Sequence, residues 1–492
     1  MSPTPLHHIH LIACCGTGMG SLAGMLKARG YHVTGSDQHV YPPMSTQLES
    51  WGIVLHQGFR PEHLQPRPHL VIVGNAVSQD NPEVIAAHQM GIPALSFPQA
   101  LASFFIQQRH AVVVAGTHGK STTTALIAWL LCHAGYDPSF FVGAVMRNVD
   151  STFRLGQGEH MVVEGDEYDS AYFDKAPKLL HYRPRTAVLT SVEFDHADIY
   201  RDVQQVRAAF IRFLHLLPPD GCLVACGDDP GVQDILATTA LPAPVQTYGF
   251  QPRADWEAVD CQPQGPHMQV TILYRGKTVG RLSSPLMGRH NAQNLLAAVA
   301  VSRRFGLSIA QIADGLRTFQ NIKRRCEIRG AVDGITVIDD FAHHPTAVRA
   351  TLQAVRQSYP DARLWAVFEP RSATSRRAIF QQEYAAALGL ADRVVVAGVY
   401  RQDRLSSADR LSPEVLIHTI QAQGVSAWFH PTTQAIIDHL CQDAQRQDVI
   451  LIMSNGGFEN IHQRLLTALA QRSPVDESTA DSGPTPSGGL TP

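Results

Sequence analysis

The chain has 492 residues, 44% of them hydrophobic, enough for several buried cores, and its length points to three domains. Forty basic against 43 acidic residues leave a net charge of −3, which argues against a nucleic-acid partner, because phosphate-tracking surfaces carry a basic surplus. The eight cysteines show no Cys-x-x-Cys spacing and suggest reduced thiols in a cytoplasm; no Lys or Arg precedes Lys27, as a signal peptide would require, and no apolar run reaches the roughly 18 residues of a membrane span.

In chain order, a short strand over 10–13 runs into the turn Gly16-Thr17-Gly18-Met19-Gly20, a helix over 21–29 follows, and a second strand over 31–34 leads to Asp37. This is a β-α-β unit with an acidic residue about 20 positions beyond the glycines. Ser21 stands where a dinucleotide fingerprint has its third Gly, so a nucleoside diphosphate fits the turn as well as a dinucleotide does. A strand over 70–73 ends in Gly74-Asn75-Ala76, and residues at such strand ends face the ligand crevice of an open parallel sheet.

Residues 112–122, Val-Val-Val-Ala-Gly-Thr-His-Gly-Lys-Ser-Thr, carry the strongest signal. An apolar strand enters a Gly-rich turn that ends in Lys-Ser-Thr, and a helix follows. Backbone N–H groups at such a helix start make an anion nest, Lys120 supplies a point charge for a phosphate oxygen, and Ser121 offers a hydroxyl to Mg²⁺. Val114 stands where the usual loop has its first Gly, which leaves an ordinary tight turn as the alternative. Further on, a strand over 161–163 delivers Glu164, another over 187–190 leads to Glu193-Phe194-Asp195-His196, a helix occupies 206–217, and a further helix opens at Gly288-Arg289-His290-Asn291. Ser121, Glu164 and His196 are expected to meet in one crevice and to hold one or two Mg²⁺ ions. The third segment repeats strand–loop–helix units, with strands over 364–368, 393–397 and 449–453, so parallel sheets are expected throughout. The stretch after Arg472, rich in Ser, Pro, Thr and Gly, reads as disordered.

Five motifs occur in order: residues 116–122, Glu164-Gly165-Asp166-Glu167-Tyr168-Asp169, Phe194-Asp195-His196-Ala197-Asp198, His290-Asn291-x-x-Asn294 and Asp339-Asp340-Phe341-Ala342-His343-His344-Pro345-Thr346. Together they resemble the Mur ligases, ATP-dependent amide-forming enzymes of peptidoglycan synthesis. Residues 339–346 resemble members that add L-alanine to UDP-N-acetylmuramate. The stretches 40–46, 165–169, 193–198, 368–372 and 453–458 resemble recycling members that add the intact tripeptide L-alanyl-γ-D-glutamyl-meso-diaminopimelate, and this is the expected activity.

The resemblance implies an α/β fold of three domains: a Rossmann-like UDP-sugar domain (1–106), a central P-loop ATPase-type domain (107–323), and a Rossmann-like peptide domain (324–472), followed by a disordered tail (473–492). It implies ATP and Mg²⁺ as cofactors, with Lys120, Glu164 and His196 catalytic. Gly116, Thr117, His118, Gly119, Lys120, Ser121, Thr122, Asn291, Asn294, Arg325 and Asp340 would bind ATP, with metal at Ser121, Glu164 and His196. Gly16, Thr17, Gly18, Met19, Asp37, Asn75 and Ser78 would line the UDP-sugar pocket, and Arg371, Ser372 and Asn455 the peptide pocket. Taken alone, several of these residues suit plainer roles: Asn291 and Asn294 as helix caps, His196 as a structural histidine, the run 164–169 as a solvated loop, His343-His344-Pro345 as a polar turn, and Arg371 as half of a surface ion pair. Three positions depart from the resemblance. Phe210 occupies the place where several relatives carry a carbamylated lysine that helps hold a second metal, while Ala373 and Glu459 border the expected peptide pocket.

Overall fold

A computed structural model describes residues 6–265, 267–406 and 409–472; the tail expected over 473–492 lies outside them. Three sheets follow one another along the chain. The first is all parallel, with β1 (His8–Ile12), β2 (His32–Asp37), β3 (Val54–Gln57), β4 (Leu70–Val73) and β5 (Ala94–Ser96) in the order β3-β2-β1-β4-β5. The order reverses between β1 and β4, which opens a crevice beyond their carboxyl ends. The first helix starts at Thr17, with Gly16 as its N-cap, four residues before the expected start. The Gly-rich turn therefore supplies the helix's first turn, and its N–H groups point out of the N-terminus.

The second sheet has ten strands: β6 (His110–Ala115), β7 (Ser139–Met146), β8 (Ser151–Arg154), β9 (His160–Gly165), β10 (Thr186–Leu189), β11 (Cys222–Cys226), β12 (Val245–Gly249), β13 (Trp256–Gln264), β14 (His267–Tyr274) and β15 (Lys277–Ser284). Its order is β15-β14-β13-β12-β11-β10-β6-β9-β7-β8. Val113 and Ala115 of β6 enter one core and Val112 and Val114 another, so both faces of the strand are covered. That is why a parallel central strand reads as an uninterrupted apolar run. The expectation of parallel sheets throughout fails here, because β13-β14-β15 is an antiparallel meander and β7 pairs antiparallel with β8. In β14, Met268, Val270 and Ile272 are buried while the residues between them are not, the alternation of a strand covered on one face.

The third sheet contains β16 (Glu327–Val332), β17 (Ile335–Asp340), β18 (Leu364–Phe368), β19 (Arg393–Ala397), β20 (Ser426–His430) and β21 (Val449–Met453) in the order β16-β17-β21-β18-β19-β20. Only β16 runs antiparallel, paired with β17 across the Asp333-Gly334 turn. No helix among the described residues is long and apolar enough to cross a membrane.

Phe210 sits on the helix Val203–Leu214 and is fully buried in one core with Val206, Phe213, Leu189 and Leu223. Its ring is packing, and the helix presents an apolar face to the sheet. Phe210→Ala should destabilise the chain by about 3–5 kcal/mol, from lost burial and the cavity left behind, as measured by denaturant unfolding.

Candidate active site

The carboxyl ends of the central strands and of the third sheet face each other across a cavity of about 630 Å³. Thr117, His118, Gly119, Lys120, Ser121 and Thr122 line it after β6, Glu164 at the end of β9, and His196 after β10. Asn291 and Asn294 reach it from the helix Arg289–Arg304, and Arg325, Asp340, Ser372 and Asn455 from the third domain. The expected convergence of Ser121, Glu164 and His196 is thus present.

The loop's shape follows from its two glycines. Gly116 has φ +132°, and a Cβ there would overlap Thr190 Oγ1 and lie 2.8 Å from the Ser191 nitrogen. Gly119 has φ +81° and abuts Asn294 Oδ1, so neither position accepts a side chain without strain. The loop is also tied to the segment after β10: the Thr117 and His118 N–H groups donate to the Ser191 carbonyl and hydroxyl at 3.0 and 2.9 Å, and the Glu193 N–H donates to Thr117 Oγ1 at 2.9 Å. Val114, where the usual loop has its first Gly, is a buried residue of β6 itself. The helix Lys120–His133 then begins with its N-terminus at the cavity.

Charge is concentrated at this helix start. Lys120 Nζ pairs with Glu167 Oε2 at 2.9 Å and donates to the Gly116 carbonyl at 2.7 Å. Burial pulls the Lys120 ammonium toward neutrality, but Glu167, Asp166 and Glu164 outweigh it and raise its pKa. Ser121 Oγ donates to Glu164 Oε2 at 3.0 Å, and the Gly143 N–H donates to Oε1 at 2.5 Å. Burial and the Asp166 carboxylate push Glu164 up to about 7. His196 Nε2 stands 3.5 Å from Glu167 Oε1; burial would lower its pKa, but Glu167 and Asp195 raise it overall. His196 also has φ +54° and a ring 4.9 Å from that of Tyr168.

The alternatives left open by the sequence divide. Asn291 and Asn294 are not caps: Gly288 is the N-cap, Asn291 Nδ2 donates to the Met287 carbonyl at 2.7 Å, and Asn294 Nδ2 donates to Asn291 Oδ1 at 2.9 Å. His344 does cap the helix Pro345–Ser358, while His343 lines the cavity. The run 164–169 is no solvated loop, since Glu164 and Glu167 are buried. Asp340 is buried and accepts from the Cys326 and Ala342 N–H groups, both at 2.7 Å.

Arg371, expected in the peptide pocket, does not line the cavity, and neither does Gly116 of the loop. The Arg371 guanidinium pairs with Glu369 at 3.3 Å and lies 3.8 Å from the centre of the Tyr400 ring, whereas Ala373 and Ser372 beside it do line the cavity. Glu459 has φ +47° and pairs with Arg464, an exposed partner on its own segment. The residues expected around a UDP-sugar lie in the first-sheet crevice. Gly16 to Met19 form the helix start, Asp37 accepts from the Cys15 and His39 N–H groups at 2.8 and 3.1 Å, Ser78 bonds Asp80, and Asn75 Nδ2 donates to Asp169 Oδ1 at 3.3 Å.

Some site residues went unremarked in the sequence. Glu167 stood in a quoted motif, but its pairing with Lys120 depends on two strands being neighbours. Thr374 donates to Asp195 Oδ1 at 2.5 Å and Thr346 to Glu193 Oε2 at 2.7 Å, both from the third domain, and nothing local announces either bond.

The donors fit the groups the motifs imply. Ser121 Oγ and Glu164 Oε2 are adjacent hard oxygens, which suits Mg²⁺. Lys120 and the N-terminus of its helix suit a chain of phosphates.

Three family descriptions match the chain: "Mur ligase family, catalytic domain" over residues 8–109, "Mur ligase middle domain" over 114–302, and "Mur ligase, glutamate ligase domain" over 324–456. A UDP-N-acetylmuramate–L-alanyl-γ-D-glutamyl-meso-2,6-diaminoheptandioate ligase of Escherichia coli is 40% identical over 94% of this chain and 98% of its own. A UDP-N-acetylmuramate–L-alanine ligase of Carboxydothermus hydrogenoformans is 34% identical over 93% and 96%. The crystal structure of a murein peptide ligase from Psychrobacter arcticus superposes with a TM-score of 0.71 at 37% identity, covering 95% of this chain and all of that one.

The raised Glu164 carboxyl gives a pH signature in the nucleotide-free protein. Because its folded pKa lies above the unfolded value, the stability it contributes is present below about pH 4.5 and is lost as pH rises through about 7. Divalent-ion binding runs the opposite way, since the ligand must be ionised. Mn²⁺ affinity, measured by equilibrium dialysis, should rise by up to about tenfold per unit toward pH 7 and level off above it, and Glu164→Gln should remove the slope.

Proposed function

The chain belongs to the Mur ligase family, and we propose that it joins UDP-N-acetylmuramate to the tripeptide L-alanyl-γ-D-glutamyl-meso-diaminopimelate at the expense of ATP, in peptidoglycan recycling. The observation that carries this is the cavity where the Lys120 loop, the Ser121–Glu164 pair and the third-domain residues Arg325 and Asp340 converge. The tripeptide rather than free alanine is favoured by the higher identity to the tripeptide ligase, 40% against 34% over nearly the same span. On this reading residues 1–106 hold the UDP-sugar, 107–323 the ATP and 324–472 the peptide. The enzyme works in the cytoplasm, which agrees with eight free cysteines.

The chemistry is an activation followed by a capture. The muramate carboxylate oxygen attacks the γ-phosphorus of ATP, the bond to the ADP oxygen breaks, and an acyl phosphate forms. The neutral amine of the peptide's alanine then attacks the acyl carbon, the tetrahedral adduct expels phosphate, and the amine proton is lost to give the amide. The protein's part is positioning and charge compensation. Lys120 turns from Glu167 to the β- and γ-phosphates, and the N–H groups of the loop and helix start follow the same oxygens. Ser121 and Glu164 would hold a Mg²⁺ ion, which would supply positive charge against the triphosphate, and His196 would hold or orient a second. Asn291 and Asn294 meet the adenine edge. Arg325 and Asp340 reach ATP from the third domain, whose contacts close the cavity against water.

Two measurements test this. With UDP-N-acetylmuramate and ATP·Mg²⁺, phosphate release should be at least roughly tenfold faster with the tripeptide than with L-alanine at equal concentration; equal or faster turnover with alanine would assign the chain to the alanine-adding members. Lys120→Ala should lower kcat by about two to three powers of ten, the usual cost of removing one group that stabilises developing charge.

A further inference from the structure

Two imidazoles and a carboxylate meet where the third domain leans on the second, and the ligase chemistry uses none of their side chains. His118 Nε2 lies 3.3 Å from Glu193 Oε2, and His344 Nδ1 lies 3.4 Å from the same oxygen. The two rings are tilted, with centroids 4.8 Å apart, and the three donor atoms all fall within 4.8 Å of one another.

We propose that His118, Glu193 and His344 form a binding site for a transition-metal ion of the Zn²⁺ or Co²⁺ class, which clasps the third domain to the second. The spacing supports it. Ligands about 2.0–2.1 Å from a tetrahedral ion stand about 3.3 Å from each other, and two of the three edges here already have that length. The donor orientation supports it independently. The His344 side chain is 4% exposed, and its Nε2 lies 3.2 Å from the Phe194 carbonyl, which takes the ring N–H. Nδ1 is therefore the acceptor end of the ring: it takes the Thr346 N–H at 3.4 Å as the helix cap and stands 3.4 Å from Glu193 Oε2, so an ion bound here would replace that cap bond. A backbone carbonyl that fixes the tautomer from behind is the usual support of a metal-binding histidine. Thr346 Oγ1 holds the carboxylate in the same way, at 2.7 Å.

Two nitrogens and one oxygen suit Zn²⁺ or Co²⁺ and not Mg²⁺, for which the oxygens of Ser121 and Glu164 are the fitting donors. Because His118 and Glu193 also line the cavity, a fourth position opens toward it. His118 and Glu193 come from the second domain and His344 from the third, so an ion here bonds across the closure interface. The proposal does not depend on the identity of the substrates.

The test is a Co²⁺ titration of the full chain in excess Mg²⁺ and without nucleotide. One equivalent should give the visible bands of a four-coordinate cobalt centre, Zn²⁺ should abolish them, and Zn²⁺ should raise the thermal midpoint. Glu193→Gln and His344→Gln, each checked for native circular dichroism, should weaken Co²⁺ binding by more than about tenfold. If His344→Gln fails to fold, Glu193→Gln, on a part-exposed residue, still decides. Glu164→Gln should keep the bands. No band with one equivalent of Co²⁺ at sub-millimolar protein, bands that survive in Glu193→Gln, or bands lost in Glu164→Gln would each overturn the proposal.

Discussion

The site depends on a buried ammonium held among carboxylates. Lys120 is nearly enclosed, and without Glu167 its charge would sit in a poor solvent at a cost of several kcal/mol. Glu167, itself buried, is kept ionised by Lys120 and then His196, against the opposing pull of burial. The cluster is therefore a closed exchange of charge, which triphosphate binding must reopen. When phosphate oxygens take over Lys120, Glu167 loses its counter-ion, and His196, 3.5 Å away, is the partner that remains beside it. On the proposed reading this makes Glu167 the residue that hands Lys120 to ATP.

The acidic run that provides this cluster also joins the domains. Glu164 faces Ser121, Asp166 pairs with Lys178 at 3.2 Å, Glu167 holds Lys120, and Asp169 accepts from Asn75 of the first domain and pairs with Lys175 at 2.8 Å. One short segment at the end of β9 and just beyond it thus reaches from the central cavity to the first-sheet crevice. The segment after β10 does the same toward the third domain: Asp195 accepts from Thr374, Glu193 from Thr346, and the Phe194 carbonyl meets His344.

How much could be read from the chain follows from how local each cause is. The run 112–115 announces a central parallel strand because both of its faces are buried, and Gly116 and Gly119 announce the loop because the backbone needs positive φ there. The strands over 70–73, 364–368, 393–397 and 449–453 were legible for the same reason. The meander β13-β14-β15 was not, although Met268, Val270 and Ile272 alternate as an antiparallel strand should; the helix–strand rhythm around it drew attention to the wrong period. The packing of Arg371 on Tyr400 was not legible, because Tyr400 is 29 residues further along the chain and meets it only once the third sheet forms.

Phe210 shows how one apolar ring constrains the electrostatics of the whole site. A lysine in its place would lie fully buried among Val206, Phe213 and Leu214, and an unpaired ammonium there would cost more than the fold could readily offset. The helix Val203–Leu214 contributes no residue to the cavity lining. Ligands for a second cation would then come from other residues of the lining, among which His196 is already engaged with Glu167. Lys120 and His196 both lean on the one carboxylate of Glu167, so a phosphate that draws Lys120 away changes the partner left to His196.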